Sequence, residues 1–396
     1  MMNIFYGKSF YFLICKCTFI IIIVYIPFNY LEFQKLSKKI IIPNDYNFPH
    51  LNSIYSICNN NISQNTVLIF EIFQYHYECT PGFSKYFIDL GYNVDIIMHS
   101  SGLTSFFLFK NIDKIRFYIF NKIEEIEKYA KYLSLTLINY NYVLIETANP
   151  NYFRLYKELS LLNIKHSFLV FHHLEYLISV PTDVNLNKNQ IWSLGHFKNS
   201  IQVNPHYFGD FKHKKKNKIT RFFITSTINR SYKLLISALE KLKDENLDFH
   251  VVVIGKWKTF TYHNVSDKII NNFTFKYNVS YSDLYNEVNN SDYIIINLDP
   301  NNKKDDAFKN TRVSGSVQLS YGFLKPVIIC KDFAKIYYFN SKNSFLYENW
   351  NFVDKMRNAI TIGHKRYEKM QKNLKLAIDK IYKDSLNNVN NCLQDY

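Results

Sequence analysis

Glycine and proline are scarce, at 10 and 9 residues in a chain of 396. That excludes collagen-like and Gly/Pro-rich disordered chains. No glycine-rich phosphate loop follows the first apolar run, so an NAD-type dinucleotide site is not expected. The six cysteines, at positions 15, 17, 58, 79, 330 and 392, form no C-x-x-C pair, which leaves no zinc-ribbon spacing and no disulfide framework. Acidic residues are in deficit: 48 Lys and Arg against 33 Asp and Glu, a formal charge of +15. A basic chain suits an anionic small substrate, an anionic membrane face or nucleic acid. Nucleic acid is not expected as a partner, because basic residues interleaved with exposed aromatics are missing. The one dense cluster, residues 212–218 (KHKKKNK), reads as a solvated linker or a phospholipid contact.

What the chain has in quantity is apolar surface. Hydrophobic residues make up 47% and aromatics 17%, enough for packed cores in two domains of ordinary size. Residues 9–28 (SFYFLICKCTFIIIIVYIPF) reach the length needed to cross a bilayer, with Lys8 ahead and Lys16 inside. Residues 1–30 read as a signal anchor or a signal peptide, and the missing small-x-small cleavage pattern favours a single N-terminal anchor. A membrane-associated protein is therefore expected.

Beyond the anchor the pattern alternates. Residues 66–73 (TVLIFEIF) form a continuous apolar run of the kind found in buried parallel strands. Thr80 and Pro81 then open a helix with Thr80 as its cap. Phe83, Tyr86, Phe87 and Leu90 line one face, and Gly91 closes it. Strands over 94–98, 114–120, 142–147 and 166–171 alternate with helices over 122–135 and 152–162. A second series follows: strand 219–225, helix 230–244, strand 249–254, a helix capped by Ser282, and strand 293–298. Residues 311–329 (TRVSGSVQLSYGFLKPVII) then supply a loop, a helix starting near Ser316, a stop at Gly322 and Pro326, and a strand. The fold class is α/β, with two Rossmann-like parallel-sheet domains facing a cleft. The expected divisions are 60–210 for the first sheet domain, 218–350 for the second and 351–396 for a helical tail.

Ligands of open parallel sheets sit at the carboxyl ends of the strands, so the loops there hold the candidates. His76 and Glu78, two apart after the first strand, are candidate proton acceptors or hydroxyl partners. Glu146 ends another strand. His172 and His173 follow the strand ending at Phe171, with Glu175 close behind. Adjacent side chains point apart, so only one of the two histidines is expected to face the cleft, and no metal site follows from them. Arg230 and Lys233 lie a turn apart at a helix start, where cations oppose the dipole and are better explained as pyrophosphate ligands. Ser314, Gly315 and Ser316 offer small side chains and free N–H groups at another helix start, a setting suited to phosphate.

Residues 76–96, 169–176, 225–239, 289–300 and 311–329 together resemble the glycosyltransferases of the two-Rossmann (GT-B) fold, especially the large retaining group-1 family. The resemblance implies a nucleotide-sugar donor in the second domain, with Arg230, Lys233, Ser314, Gly315, Ser316 and Gln318 binding it. It implies His172 or His173 against the donor sugar, and His76 and Glu78 near the reacting centre. The family's two glutamates, eight apart, fall on Thr311 and Leu319 here, and Gln318 is the nearest polar residue. What is expected is transfer of a sugar from a nucleotide-diphosphate donor to a glycan or lipid-linked acceptor at a membrane surface, with no cofactor. Two alternatives remain open: a GT-B-fold binding protein without activity, and a nucleotide-sugar 2-epimerase-like enzyme.

Overall fold

The structure, a computed structural model, describes residues 48, 50–164, 166–226, 231–255, 260–261 and 264–394. The expected anchor in residues 1–30 and the candidate Arg230 lie outside the described residues. No described helix is long and apolar enough to cross a membrane.

Fourteen strands form two sheets among the described residues. The first contains β1 (Leu51–Ser53), β2 (Thr66–Glu71), β3 (Asn93–His99), β4 (Ile115–Phe120), β5 (Tyr142–Ile145), β6 (His166–Val170), β7 (Ile191–Ser193) and β8 (Ile201–Gln202). Their spatial order is β1-β4-β3-β2-β5-β6-β7-β8. The second contains β9 (Thr220–Ser226), β10 (Phe249–Gly255), β11 (Phe273–Tyr277), β12 (Tyr293–Ile296), β13 (Val327–Cys330) and β14 (Ser344–Tyr347), in the order β11-β10-β9-β12-β13-β14. All the paired strands run parallel. Every residue of β2, β12 and β13 is buried, as expected of strands covered by helices on both faces.

In each sheet the chain builds outward in one direction and then returns to build in the other. The reversal falls between β2 and β5 in the first sheet and between β9 and β12 in the second. At such a point the connections after the two strands diverge to opposite faces and leave a crevice. The two crevices supply the candidate site.

The helices, in chain order, are α1 (Thr80–Asp89), α2 (Ile123–Lys128), α3 (Ala130–Leu137), α4 (Phe153–Glu158), α5 (Lys233–Asp244), α6 (Tyr281–Asn290), α7 (Ala307–Asn310), α8 (Gly315–Gly322), α9 (Lys331–Ala334), α10 (Phe352–Thr361) and α11 (His364–Gln394). Several depart from the sequence reading. The helix expected over 122–135 is broken at Tyr129, whose ψ of 15° ends α2 before α3 begins. Ser280, not Ser282, caps α6, accepting from the Asp283 N–H at 3.1 Å. Thr80 is the first helical residue rather than the cap, and its hydroxyl turns inward to a carboxylate. Gly91 does close α1: at φ +91°, it lets the Tyr92 N–H reach the Phe87 carbonyl at 3.0 Å and its own N–H reach Ile88.

Gly322 works differently from the expected stop signal. It is the last residue of α8, and the left-handed position that follows belongs to Leu324, at φ +53°. A Cβ at Gly322 would fall 2.0 Å from the Phe208 ring and 2.7 Å from the His206 carbonyl oxygen. On the other side, a Cβ at Gly82 of α1 would fall 2.4 Å from the Pro205 backbone. The segment joining the two sheets thus threads between two helices, one per domain, each carrying glycine where the backbone passes. Asn204 clamps it: its carbonyl accepts from the Tyr86 hydroxyl at 2.6 Å and its N–H donates to Ser385 Oγ at 3.0 Å.

Ser385 belongs to α11, which runs from one core to the other. Tyr367, Leu374 and Ile378 pack into the core around the second sheet, and Val389, Cys392 and Leu393 into that of the first. The basic cluster after the crossing is held more firmly than a solvated linker would be. Lys216 Nζ donates to Thr220 Oγ1 and to the Ile360 carbonyl, both at 2.7 Å, and Lys214 Nζ reaches the Asn289 carbonyl at 3.3 Å.

Candidate functional site

A cavity of about 160 Å³ opens between the domains, lined from one side by His76, Glu78, Cys79, His172, His173 and Leu194, and from the other by Phe308, Arg312, Val313, Gly315 and Gln318. The first set follows β2, β6 and, for Leu194, β7; the second follows β12 and opens α8. Both histidines after β6 therefore line the cavity, where the sequence pattern predicts only one.

The first-domain side rests on buried acid groups. Glu71 ends β2 and Glu146 follows β5, the two strands of the reversal point. The Glu146 N–H donates to the Phe70 carbonyl at 3.1 Å and continues the ladder, which places the two carboxylates side by side. Glu71 accepts from the Phe73 N–H and, at 2.5 Å, from the Thr147 hydroxyl. Glu146 accepts from the Thr80 hydroxyl at 3.0 Å, and its other oxygen has no partner. Both are fully buried, and burial raises both carboxyls above the ordinary range, helped by repulsion from Glu78 at Glu71 and from Glu71 and Glu78 at Glu146.

Above them His76 stacks on His172, ring centroids 3.8 Å apart and planes 15° from parallel. Burial pushes His172 down to about 3, and burial with its imidazole neighbours drives His76 well below its usual value, so both are neutral at physiological pH. His172 Nε2 lies 3.1 Å from the Glu146 carbonyl oxygen. A carbonyl only accepts, so this nitrogen carries the hydrogen and Nδ1 is left as an acceptor. Glu78 is pushed up to about 7 by burial, a shift partly opposed by the Tyr281 hydroxyl, which donates to its Oε2 at 3.0 Å. Tyr281 opens α6 in the second domain, so this bond crosses the cleft.

The second-domain side is built from dipoles. Ser314 is the N-cap of α8 without a side-chain cap bond, and the helix begins at Gly315. Its first N–H groups have no acceptor within the helix by construction. The Ser316 hydroxyl lies 2.8 Å from that of Thr225, near the end of β9, and so holds the helix start at the β9/β12 reversal point. Gln318, on the first turn, is 2% exposed, and neither its carbonyl oxygen nor its amide nitrogen has a partner. Lys233 opens α5 after β9 at the same end of the sheet. It is exposed and does not line the cavity.

Arg312 and Tyr281 carry no signal for this site in the sequence, and Glu175 carries only its place behind the two histidines. Arg312 Nε donates to Glu175 Oε1 at 2.8 Å, and the guanidinium makes a second, shorter bond to the same oxygen. Backbone pairing of His173 with Arg312, and of the Leu174 N–H with the Thr311 carbonyl at 3.0 Å, joins the two domains there. These partners lie 137 residues apart, and Tyr281 lies 203 residues from Glu78, so no local pattern announces them. Glu71 does carry a signal: a carboxylate inside an apolar strand. Among the described residues no group of three or more His, Cys, Asp or Glu is arranged to hold a metal ion.

No protein-family model matches the chain, and no curated protein does. Solved structures do. A glycosyltransferase from Rickettsia africae is similar over 84% of this chain and 99% of its own, at 14% identity and a TM-score of 0.52. A variant of S. aureus TarM, solved with fondaparinux, alpha-GlcNAc-glycerol and UDP, is similar over 83% of this chain and all of its own, at 10% identity and a TM-score of 0.53. With two parallel sheets facing a shared cleft, the chain has the GT-B fold of these glycosyltransferases.

Proposed function

We propose that the protein is a glycosyltransferase that takes a sugar from a nucleotide-diphosphate donor and passes it to a hydroxyl of a glycan or lipid-linked acceptor at a membrane surface. The observation that carries this reading is a single cavity with titratable side chains on one wall and a helix N-terminus on the other. Sugar transfer from a diphosphate needs both: a group to take the acceptor proton, and a fixed positive potential for the departing diphosphate.

The roles follow from the chemistry of each wall. The bond between the anomeric carbon and the diphosphate oxygen breaks, and a new bond forms to the acceptor oxygen. The acceptor proton passes to Glu78, a carboxylate in a large fraction of molecules at neutral pH because its pKa is about 7. His172 Nδ1 accepts a hydrogen bond from a sugar hydroxyl, and stacked His76 holds the imidazole in place. The charge growing on the diphosphate is met by the N–H groups at Ser314, Gly315 and Ser316, with Arg230 and Lys233 as further cationic ligands. The scheme calls for no metal or cofactor. The membrane part of the reading rests on residues 9–28 and the charge of +15.

A donor screen with the full-length protein in detergent tests the reading, measuring thermal stabilisation by UDP, GDP and CMP and release of nucleoside diphosphate from nucleotide sugars. Stabilisation by UDP or GDP and release of that diphosphate from its sugar conjugates are expected, with CMP as the monophosphate control. No shift with any nucleotide and no release from any donor would overturn it.

A further inference from the structure

Gln318 spends two hydrogen-bonding groups on nothing inside the protein. Its side chain is buried on the first turn of α8, yet both its carbonyl oxygen and its amide nitrogen are unpartnered. A folded chain rarely leaves a buried carboxamide unsatisfied, because it loses its water without gaining a replacement. Here the unsatisfied amide lines a cavity rather than the core.

The walls around it narrow the ligand. Across the cavity stand His76, His172 and His173, whose imidazoles burial holds in the neutral form. The guanidinium on the wall, Arg312, is committed to Glu175. Glu78, an acidic group, accepts from Tyr281 through Oε2 and offers an anion no donor. Among the described lining residues, an anionic group meets no uncommitted cation beside Gln318, and a carboxamide gives one acceptor and two donors without charge. That set matches an uncharged ring bearing neighbouring hydroxyl or acylamino groups.

We infer that Gln318 reads the sugar of the donor, an uncharged hexose or N-acylhexosamine, rather than the phosphates, and so sets donor-sugar specificity. The family resemblance groups it with the donor ligands without assigning it to the sugar or the phosphates. Burial does not set it apart from Ser314 and Ser316, which are equally buried; its carboxamide is unpartnered and lines the cavity, whereas the Ser316 hydroxyl is taken by Thr225 and the exposed backbone at Gly315 is left for phosphate. This inference rests on the proposed nucleotide-sugar activity.

The test compares wild type with Gln318→Met, of similar shape without the polar ends, and Gln318→Ala as a second variant. Binding is measured for UDP, UDP-glucose, UDP-N-acetylglucosamine and UDP-glucuronic acid, and for the matching GDP and GDP-mannose pair. In wild type an uncharged nucleotide sugar should bind at least about tenfold more tightly than its bare diphosphate. Both variants should lose that gain while binding the diphosphate within about twofold of wild type. The Tm of ligand-free Gln318→Met should hold or rise, since an unsatisfied group has gone, whereas a purely structural amide would make it fall. If a variant keeps the sugar gain, if diphosphate affinity falls in step with it, or if UDP-glucuronic acid is the preferred ligand, the inference is overturned and the glycosyltransferase reading stands. If wild type binds neither diphosphates nor nucleotide sugars, both fall together.

Discussion

The two reversal points of this molecule are alike in topology and opposite in chemistry. Between β2 and β5 the chain places carboxylates and imidazoles: Glu71, Glu146, His76, Glu78 and, from β6, His172. Between β9 and β12 it places hydroxyls, a bare helix start and one neutral amide: Thr225, Ser316, Gly315 and Gln318. The same fold thus offers one crevice that can move protons and one that can hold charge without moving any. Burial explains the contrast. Desolvation tunes a titratable group strongly and leaves a backbone dipole nearly unchanged, so each crevice uses groups that its surroundings can set.

The largest effect should come from removing the proton acceptor. Glu78→Gln is expected to lower kcat by about 100-fold or more, with little change in donor KM, in steady-state assays with saturating acceptor. An equal loss in KM alone would show that Glu78 binds rather than reacts. In wild type, kcat/KM should rise with pH through about 7, as Glu78 loses its proton, and that limb should vanish in the variant.

Next in size is Gly315→Pro, which attacks the other wall without disturbing the fold. Position 315 opens α8 and follows Ser314 at ψ 133°, and a Cβ there would meet nothing within 4 Å. Proline is well tolerated at a first helical position, and its one essential loss is the N–H. Nucleoside-diphosphate affinity should fall about tenfold, as for loss of one charge-assisted hydrogen bond, while the Tm changes little. Unchanged affinity would remove the dipole half of the comparison.

Smaller still is the cost of the buried acids themselves. Glu71 and Glu146 hold their protons more tightly folded than unfolded. The folded state therefore binds more protons above the ordinary carboxylate range, and stability should fall as pH rises from about 4.5 towards their raised folded values. Glu146→Gln should flatten that slope in urea unfolding, gaining about 1 kcal/mol at pH 8 relative to pH 5. A slope identical to wild type would mean that Glu146 does not titrate with folding.

The smallest expected effect joins the two walls. Tyr281→Phe removes the donor that favours the Glu78 carboxylate. The rising limb of kcat/KM should move up by about half a pH unit to one. No movement would show that the cross-domain bond does not reach the chemistry.

Much of this site is legible in the chain because strand ends are local events. An apolar run followed by His76 and Glu78, or by His172 and His173, announces a loop at the carboxyl end of a buried strand. The serine and glycine before Val317 announce a helix start. Thr80 looks like a helix cap, but its hydroxyl has a better partner in Glu146, which is 66 residues away and adjacent only when β2 and β5 lie side by side. Gly322 looks like a stop signal for a similar reason: its missing side chain makes room for Phe208, not for a turn. Gln318 reads in the chain as a stand-in for an absent glutamate, and only burial shows it unpartnered.

The alternation of strands and helices, the two domains and the loops that carry polar residues can all be read along the chain, because periodicity and turn chemistry act over a few residues. Which loops share a cavity, which carboxylates repel one another and which cation is already paired emerge only once the chain is folded. Those outcomes depend on distance and water exclusion between segments far apart in the chain. Arg312 shows the difference: adjacent in sequence to a phosphate-type helix start, it is spent on Glu175 of the opposite domain. Coulomb attraction across the cleft, not its place in the chain, sets its partner.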